Sequence, residues 1–180
     1  MNTFRRSLLL GVAALALAGC ASKPELSRIH DPDVDFHSFH TFAFLQDRTD
    51  GSISLVDRRL LAAARRQMER RGYAFDELDP DLLVNIAAVL EDRQGLRSTP
   101  GNVSALDGVE TEDYRLGRLA IDLVDARRQQ VVWHGSAEGR VSPAMLRDAG
   151  TAVDKAVAAV FDGFPVQPSA PGAATAPKTR

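Results

Sequence analysis

"LGRLAIDLVDARRQQVVWHGSAEGRV", residues 116–141, is the stretch on which the fold turns. In its first part Leu119, Ile121 and Leu123 alternate with Arg118 and Asp122. In its last part Val131, Trp133, Gly135, Ala137 and Gly139 alternate with His134, Ser136, Glu138 and Arg140. Alternation on both sides of a polar joint predicts a β-hairpin with one buried and one open face. Opposed residues of an antiparallel pair share a face, so Leu119, Ile121 and Leu123 must oppose odd-numbered residues of the second strand. One register sets Leu123 against Trp133, Ile121 against Gly135 and Leu119 against Ala137. It also sets Arg118 against Glu138 and Asp122 against His134. A slip of two sets Ile121 against Trp133, Arg118 against Ser136 and Ala120 against His134, and loses both charge pairs. Large side chains against small ones, with complementary charges, select the first register. The turn falls around Arg127 to Gln129.

Working outward, Ser142-Pro143 is a helix start, a hydroxyl at the N-cap and proline at N1. Leu146, Ala149, Val153, Val157, Val160 and Phe164 form one helical stripe, ended by Gly163 and Pro165. Upstream, "LLVNIAAVL", 82–90, is a nearly continuous apolar run and reads as a central strand. Residues 91–115 are polar and glycine-bearing and read as a long loop, functional or disordered, with composition favouring disorder. Residues 55–71 carry Val56, Leu60, Ala64 and Met68 on one helical face, after a capping box of Ser54 and Asp57 and before the stop at Gly72. "DFHSFHTFAFL", 35–45, reads as an aromatic strand with Phe36, His40, Phe42 and Phe44 on one side, followed by a polar loop over 46–54. The order is β-α-β-β-β-α. It predicts an α+β fold, a two-layer sandwich with a mixed four-stranded sheet and two helices on one face. The strand–helix–strand unit is expected to be parallel through a right-handed crossover.

The chain has 180 residues and a formal net charge of -2, without the basic stripe that nucleic acid requires. Its only cysteine, Cys20, excludes an intrachain disulfide. That cysteine closes a secretion signal. Arg5 and Arg6 form a basic start, Leu8 to Ala18 an apolar run too short to span a bilayer, and Ala18-Gly19 the small pair before Cys20. "LAGC" matches the lipobox of bacterial lipoprotein precursors, in which the thiol is diacylated and the bond before it cut; a chance cysteine is the bland alternative. Two acyl chains hold a protein stably on a membrane. Ala21, in place of a retention aspartate, points to the outer membrane facing the periplasm. "RRSLL" partly resembles a twin-arginine signal, but an ordinary basic start suffices. The organisation expected is a signal peptide over 1–19, a tether over 20–34, a domain over 35–165 and a disordered tail over 166–180.

"DFHSFHTFAFL", "RRGYAF", "DPDLLVNI", "LAIDLVDARRQQVVWHGSAEGRV" and the final helix ending "FP" come in the order of a known family. Over about 36–165 the chain resembles the Domain-of-Unknown-Function 4136 family of bacterial envelope lipoproteins. The resemblance implies a lipid-anchored periplasmic α+β domain without an established activity, so no catalytic residue is carried over. One departure stands out: the family often has glycine late in the hairpin turn where this chain has Gln129, and glutamine disfavours positive φ.

The remaining motifs argue against chemistry. His37 and His40 are three apart, which on a strand places them on opposite faces, and Asp31, Asp33 and Asp35 lack the glycine and distal glutamate of a calcium loop. No nucleophile elbow or phosphate loop is present. Ser136 and His134 share a strand face but stand about 7 Å apart. Glu138 and Asp122 read as exposed charge, and Trp133 as core. No catalytic residue, metal or cofactor is assigned. The expectation is a non-enzymatic binding or structural module, held on the membrane through acylated Cys20. It would meet an envelope protein or peptidoglycan through Arg118, Asp122, His134, Glu138 and Arg140. The alternative is a small-ligand binder or hydrolase that uses 91–115 as a lid.

Overall fold

The computed structural model describes residues 23–45, 54–98 and 109–168. The signal peptide, Cys20, the 46–53 part of the expected polar loop, the 99–108 part of the expected long loop and the tail beyond 168 lie outside the described residues.

Six strands form one mixed sheet. In chain order they are β1 (Glu25–His30), β2 (Thr41–Phe44), β3 (Ala74–Phe75), β4 (Leu82–Ser98), β5 (Val109–Asp125) and β6 (Gln130–Val141). Their spatial order is β1-β6-β5-β4-β2-β3. Helix α1 (Leu55–Glu69) links β2 to β3, which are parallel, and β2 is also parallel to β4. Helices α2 (Pro143–Arg147) and α3 (Ala149–Phe161) follow β6. The α+β class is as the sequence predicts. Among the described residues the sheet has six strands rather than four, and there are three α-helices rather than two.

Each difference has a physical reason. Residues 25–30, expected within the tether, form edge strand β1, antiparallel to β6. Its stabilisation comes from the ladder and from Arg28, whose Nε and Nη2 donate to the carbonyls of Val160 (3.1 Å) and Ala159 (2.6 Å) at the end of α3. The segment 91–115, expected as a loop, instead extends β4 and β5 into a two-stranded arm paired from Glu91↔Leu116 to Ser98↔Val109. Both faces of such an arm meet water, so its sequence carries no apolar alternation. Ion pairs hold it instead: Arg115 to Asp92 at 3.0 Å, Arg140 to Glu112 at 3.1 Å, and Arg93 to Glu91. The aromatic strand is shorter than expected. Phe36–Ser38 is a 3-10 turn capped by Asp35, so Phe36 reaches the core from a turn while β2 starts at Thr41. The last helix is broken at Asp148 (φ -120, ψ 60), whose side chain accepts from the Thr151 amide and starts α3 afresh.

The capping box of Ser54 and Asp57 forms as read, and Gly72 takes φ 92 after the last turn of α1. Trp133 stacks on Phe161 with ring centroids 5.4 Å apart and meets Phe164 edge-on. Around them Phe42, Met68, Leu82, Val84, Ile121, Leu123, Val157 and Val160 fill one core between the sheet and the helices. Arg71 ties the helix layer together: it is buried, donates to the Phe161 carbonyl at 2.8 Å and lies over the Phe161 ring. Burial lowers its pKa from the usual arginine value. Tyr73 donates its hydroxyl to the Phe36 carbonyl at 2.9 Å, and burial pushes the phenol well above its usual range.

The open sheet face as candidate functional site

The β5–β6 hairpin takes the register that charge and size select. Arg118 opposes Glu138, Leu119 Ala137, Ile121 Gly135, Asp122 His134 and Leu123 Trp133. Gly135 is required by its neighbours: a Cβ there would lie 2.3 Å from the Trp133 ring and 2.7 Å from Val160. Past Leu123 the register shifts by one, so Val124 opposes Val131. The bulge buries Val132 (3 % exposed) and leaves Val131 at 58 %. This corrects the expectation that Val131 lies on the apolar face, because strict alternation fails across a bulge.

The turn is built on Asp125, whose Oδ1 accepts from the Arg127 and Arg128 amides at 2.9 and 3.0 Å. Gln129, where the family favours glycine, takes φ 55, and its amide donates to the Asp125 carbonyl at 2.8 Å. The foreseen mismatch is therefore present, and the turn geometry overrides the residue's preference.

On the face away from the helices, four of the five predicted residues fall into two clusters. Arg118 donates to Glu138 at 2.6 Å and to Glu91 at 3.3 Å. The hydrogen bond and charge of Glu138, then the charge of Glu91, raise the arginine's pKa, so it stays a cation. Two rows on, beyond Ala120↔Ser136, His134 Nδ1 stands 2.6 Å from Asp122 Oδ1, and Asn85 Nδ2 donates to the other carboxylate oxygen at 3.2 Å. Arg140 belongs to the arm rather than to either cluster: it pairs with Glu112 and lies over the Tyr114 ring, 4.0 Å from its centroid. The sequence reading missed Asn85, Glu91, Glu112 and Tyr114. The last three lie in the segment read as a loop; continuing the β5 alternation past Leu116 would have placed Glu112 and Tyr114, and continuing β4 past Leu90 would have placed Glu91.

No hydrogen bond joins Ser136 to His134 among the described residues. Among those residues no group of three His, Cys, Asp or Glu side chains could hold a metal ion. His37 lies in the 3-10 turn and His40 precedes β2, which corrects the strand geometry assumed for them. Asp31 and Asp35 accept from the Asp33 and His37 amides, each at 3.0 Å. A cleft of about 280 Å³ lies between α1 and α3, lined by Ala63, Arg66, Gln67, Arg70, Asp154 and Lys155. It is on the helix side of the sheet, and the Arg66–Asp154 ion pair at 2.7 Å crosses it. No described helix is long and apolar enough to cross a membrane.

Comparison with known proteins gives one match by family: that described as Domain of unknown function (DUF4136), over residues 27–166. No curated protein matches the chain. Among solved structures it is similar to a PDZ domain protein from Parabacteroides distasonis, at 19 % identity and a TM-score of 0.47, over 80 % of this chain and 36 % of that one. This chain thus spans about a third of that protein's length. It is also similar to PelC from Paraburkholderia phytofirmans, solved as a dodecamer, at 11 % identity and a TM-score of 0.45, over 77 % of this chain and 94 % of that one. A minor lipoprotein from Acinetobacter baumannii matches at 8 % identity and a TM-score of 0.39, over 68 % of this chain and 90 % of that one.

Proposed function

The chain belongs to the family of the domain of unknown function DUF4136, and from that premise we propose that it is a lipid-anchored envelope lipoprotein whose domain is a non-enzymatic binding or structural module. Cys20 carries the acyl chains, and the outer membrane facing the periplasm is its place. The module docks an envelope protein or peptidoglycan through Arg118, Asp122, His134, Glu138 and Arg140, without nucleic acid or cofactor.

The observation that carries this reading is the ready-made polar face. Its polar side chains are held by one another in the folded chain, at 2.6 Å for both Arg118–Glu138 and His134–Asp122. Side chains already ordered lose less entropy when a partner arrives. The alternative, a ligand binder or hydrolase closed by a lid over 91–115, finds no support among the described residues, where 91–98 is paired to 109–116.

Crosslinking in intact envelopes followed by pull-down tests the docking role, with Cys20→Ser as the unanchored control. Exchanging the pair, Arg118→Glu with Glu138→Arg, keeps opposite charges across the ladder but inverts the pattern presented. Loss of the crosslinked partner in a protein that still folds is the expected result. An unchanged crosslink pattern removes the docking role from this patch.

A further inference from the structure

Acylated Cys20 and the sheet are joined by very little chain. β1 begins at Glu25, and Pro24 already packs on β6: a Cβ added to Gly139 would lie 3.4 Å from the Pro24 Cα. Four residues of chain reach at most about 14 Å, so Cys20 stays within that distance of Pro24 whatever path the chain takes. Glu25 opposes Glu138 in an antiparallel pair, so the chain reaches the sheet from the end where β6 finishes at Val141.

Three apolar features gather at that same end. The β4–β5 arm runs on past the last β5–β6 pair, Arg115↔Val141, to Ser98↔Val109. Six further β5 residues are about 20 Å at the usual strand rise. On the arm Leu96, paired with Thr111, is 79 % exposed. Helix α2 follows β6 directly and exposes Met145 and Leu146. The first turn of α1 exposes Leu55 (76 %) and Val56, and it adjoins the start of α3, since a Cβ on Gly150 would lie 2.3 Å from the Arg59 guanidinium. Exposed Arg58 and Arg59 follow Leu55 and Val56, and exposed Arg147 follows Met145 and Leu146. Apolar side chains edged by cations suit a lipid–water interface. Leu96 also lies beyond the reach of Cys20 along the strand direction. From the level of Arg118, opposite Glu138 and so beside Glu25, five residues of leash extend no further than the level of Asp113.

We propose that this end of the domain rests on the bilayer. The leash holds the first turn of α1, α2 and the β4–β5 arm against the headgroups, with Leu55, Leu96, Met145 and Leu146 in the interface. The opposite end, with the turn before β4 and its 97 % exposed Leu78, faces away from the membrane. The inference rests on acylation of Cys20.

The test uses the chain's single cysteine. With Cys20 acylated, Leu96→Cys, Met145→Cys and Leu78→Cys each supply one free thiol on an exposed site. Each full-length acylated variant is labelled with a polarity-sensitive fluorophore. It is then reconstituted in phosphatidylethanolamine–phosphatidylglycerol vesicles carrying headgroup nitroxides. Probes at 96 and 145 should be blue-shifted and quenched several-fold more than the probe at 78. Equal quenching at all three sites, or strongest quenching at 78, overturns the orientation. Flotation with the vesicles is read on the same samples, with Cys20→Ser as control. Protein that floats with 96 and 145 unquenched defeats the orientation alone. Protein that does not float, or floats equally with Cys20→Ser, defeats the anchoring reading and this inference together.

Discussion

Gln129 is the residue at which local preference and fold disagree. Its φ of 55 is a region where a side chain costs about 1–2 kcal/mol, and the added freedom of glycine in the unfolded chain offsets part of that. Gln129→Gly should therefore raise stability by up to about 1 kcal/mol in urea denaturation; a loss would show that the Gln129 side-chain bond to the Ala126 carbonyl outweighs the strain. Asp81 works in the opposite sense. Burial pushes its carboxyl up, but the His40 and Thr41 amides, the Thr41 hydroxyl and Arg127 together pull it below the usual carboxylate range. A depressed carboxylate contributes stability that is present above its unfolded pKa and lost as pH falls through its folded pKa. Asp81→Asn should thus lower stability at neutral pH and flatten its decline in acid, as followed by unfolding at a series of pH values. Trp133 is buried with its indole nitrogen unpartnered. Trp133→Ala should cost about 3–5 kcal/mol, and Trp133→Phe clearly less, because a ring remains and the orphaned donor is gone.

At the scale of elements, β1 and the arm depart furthest from the reading of the sequence. Both are strands whose side chains do not build the main core. Arg28 moors β1 to the end of α3, where a cation also meets the helix dipole favourably. Arg28→Met should cost about 1–3 kcal/mol and raise amide exchange along 25–30; a tether would show neither. Deleting 21–30 should expose the β6 edge and promote association, seen as concentration-dependent light scattering. The break at Asp148 turns what reads as one helix into two, leaving Met145 and Leu146 exposed on α2 while Val157 and Val160 are buried by α3. A continuous helical stripe in sequence did not require a continuous helix.

For the whole molecule, one core spans the sheet and helix layers, from Phe36 to Val166. Unfolding followed by Trp133 fluorescence and by far-ultraviolet circular dichroism should give coincident transitions; separated midpoints would show that the arm or the helix layer melts independently. In cells, palmitate labelling should mark the wild type and vanish in Cys20→Ala. Label retained by that variant would place the lipid elsewhere and remove the anchor.

Local sequence signals were enough for the hairpin, its register, the caps of α1 and α2, and the α+β class. Each rests on local signals: alternation with complementary charge at Arg118/Glu138 and Asp122/His134, hydroxyl caps at Ser54 and Ser142, and proline at the start of α2. The rest depends on contacts between segments distant in the chain. β1 has no apolar period to announce it, because its ladder and Arg28 hold it. The arm has no apolar alternation, and its pairing continues a register begun at Leu82↔Asp125. Val131 and Val132 exchange places because of a bulge that alternation cannot encode. The polar face was legible to the extent that it depends on the hairpin alone. Asn85, Glu91 and Glu112 joined it only when β4 and the arm were laid beside β5, since backbone pairing across the sheet, rather than any pattern within one segment, brings them there.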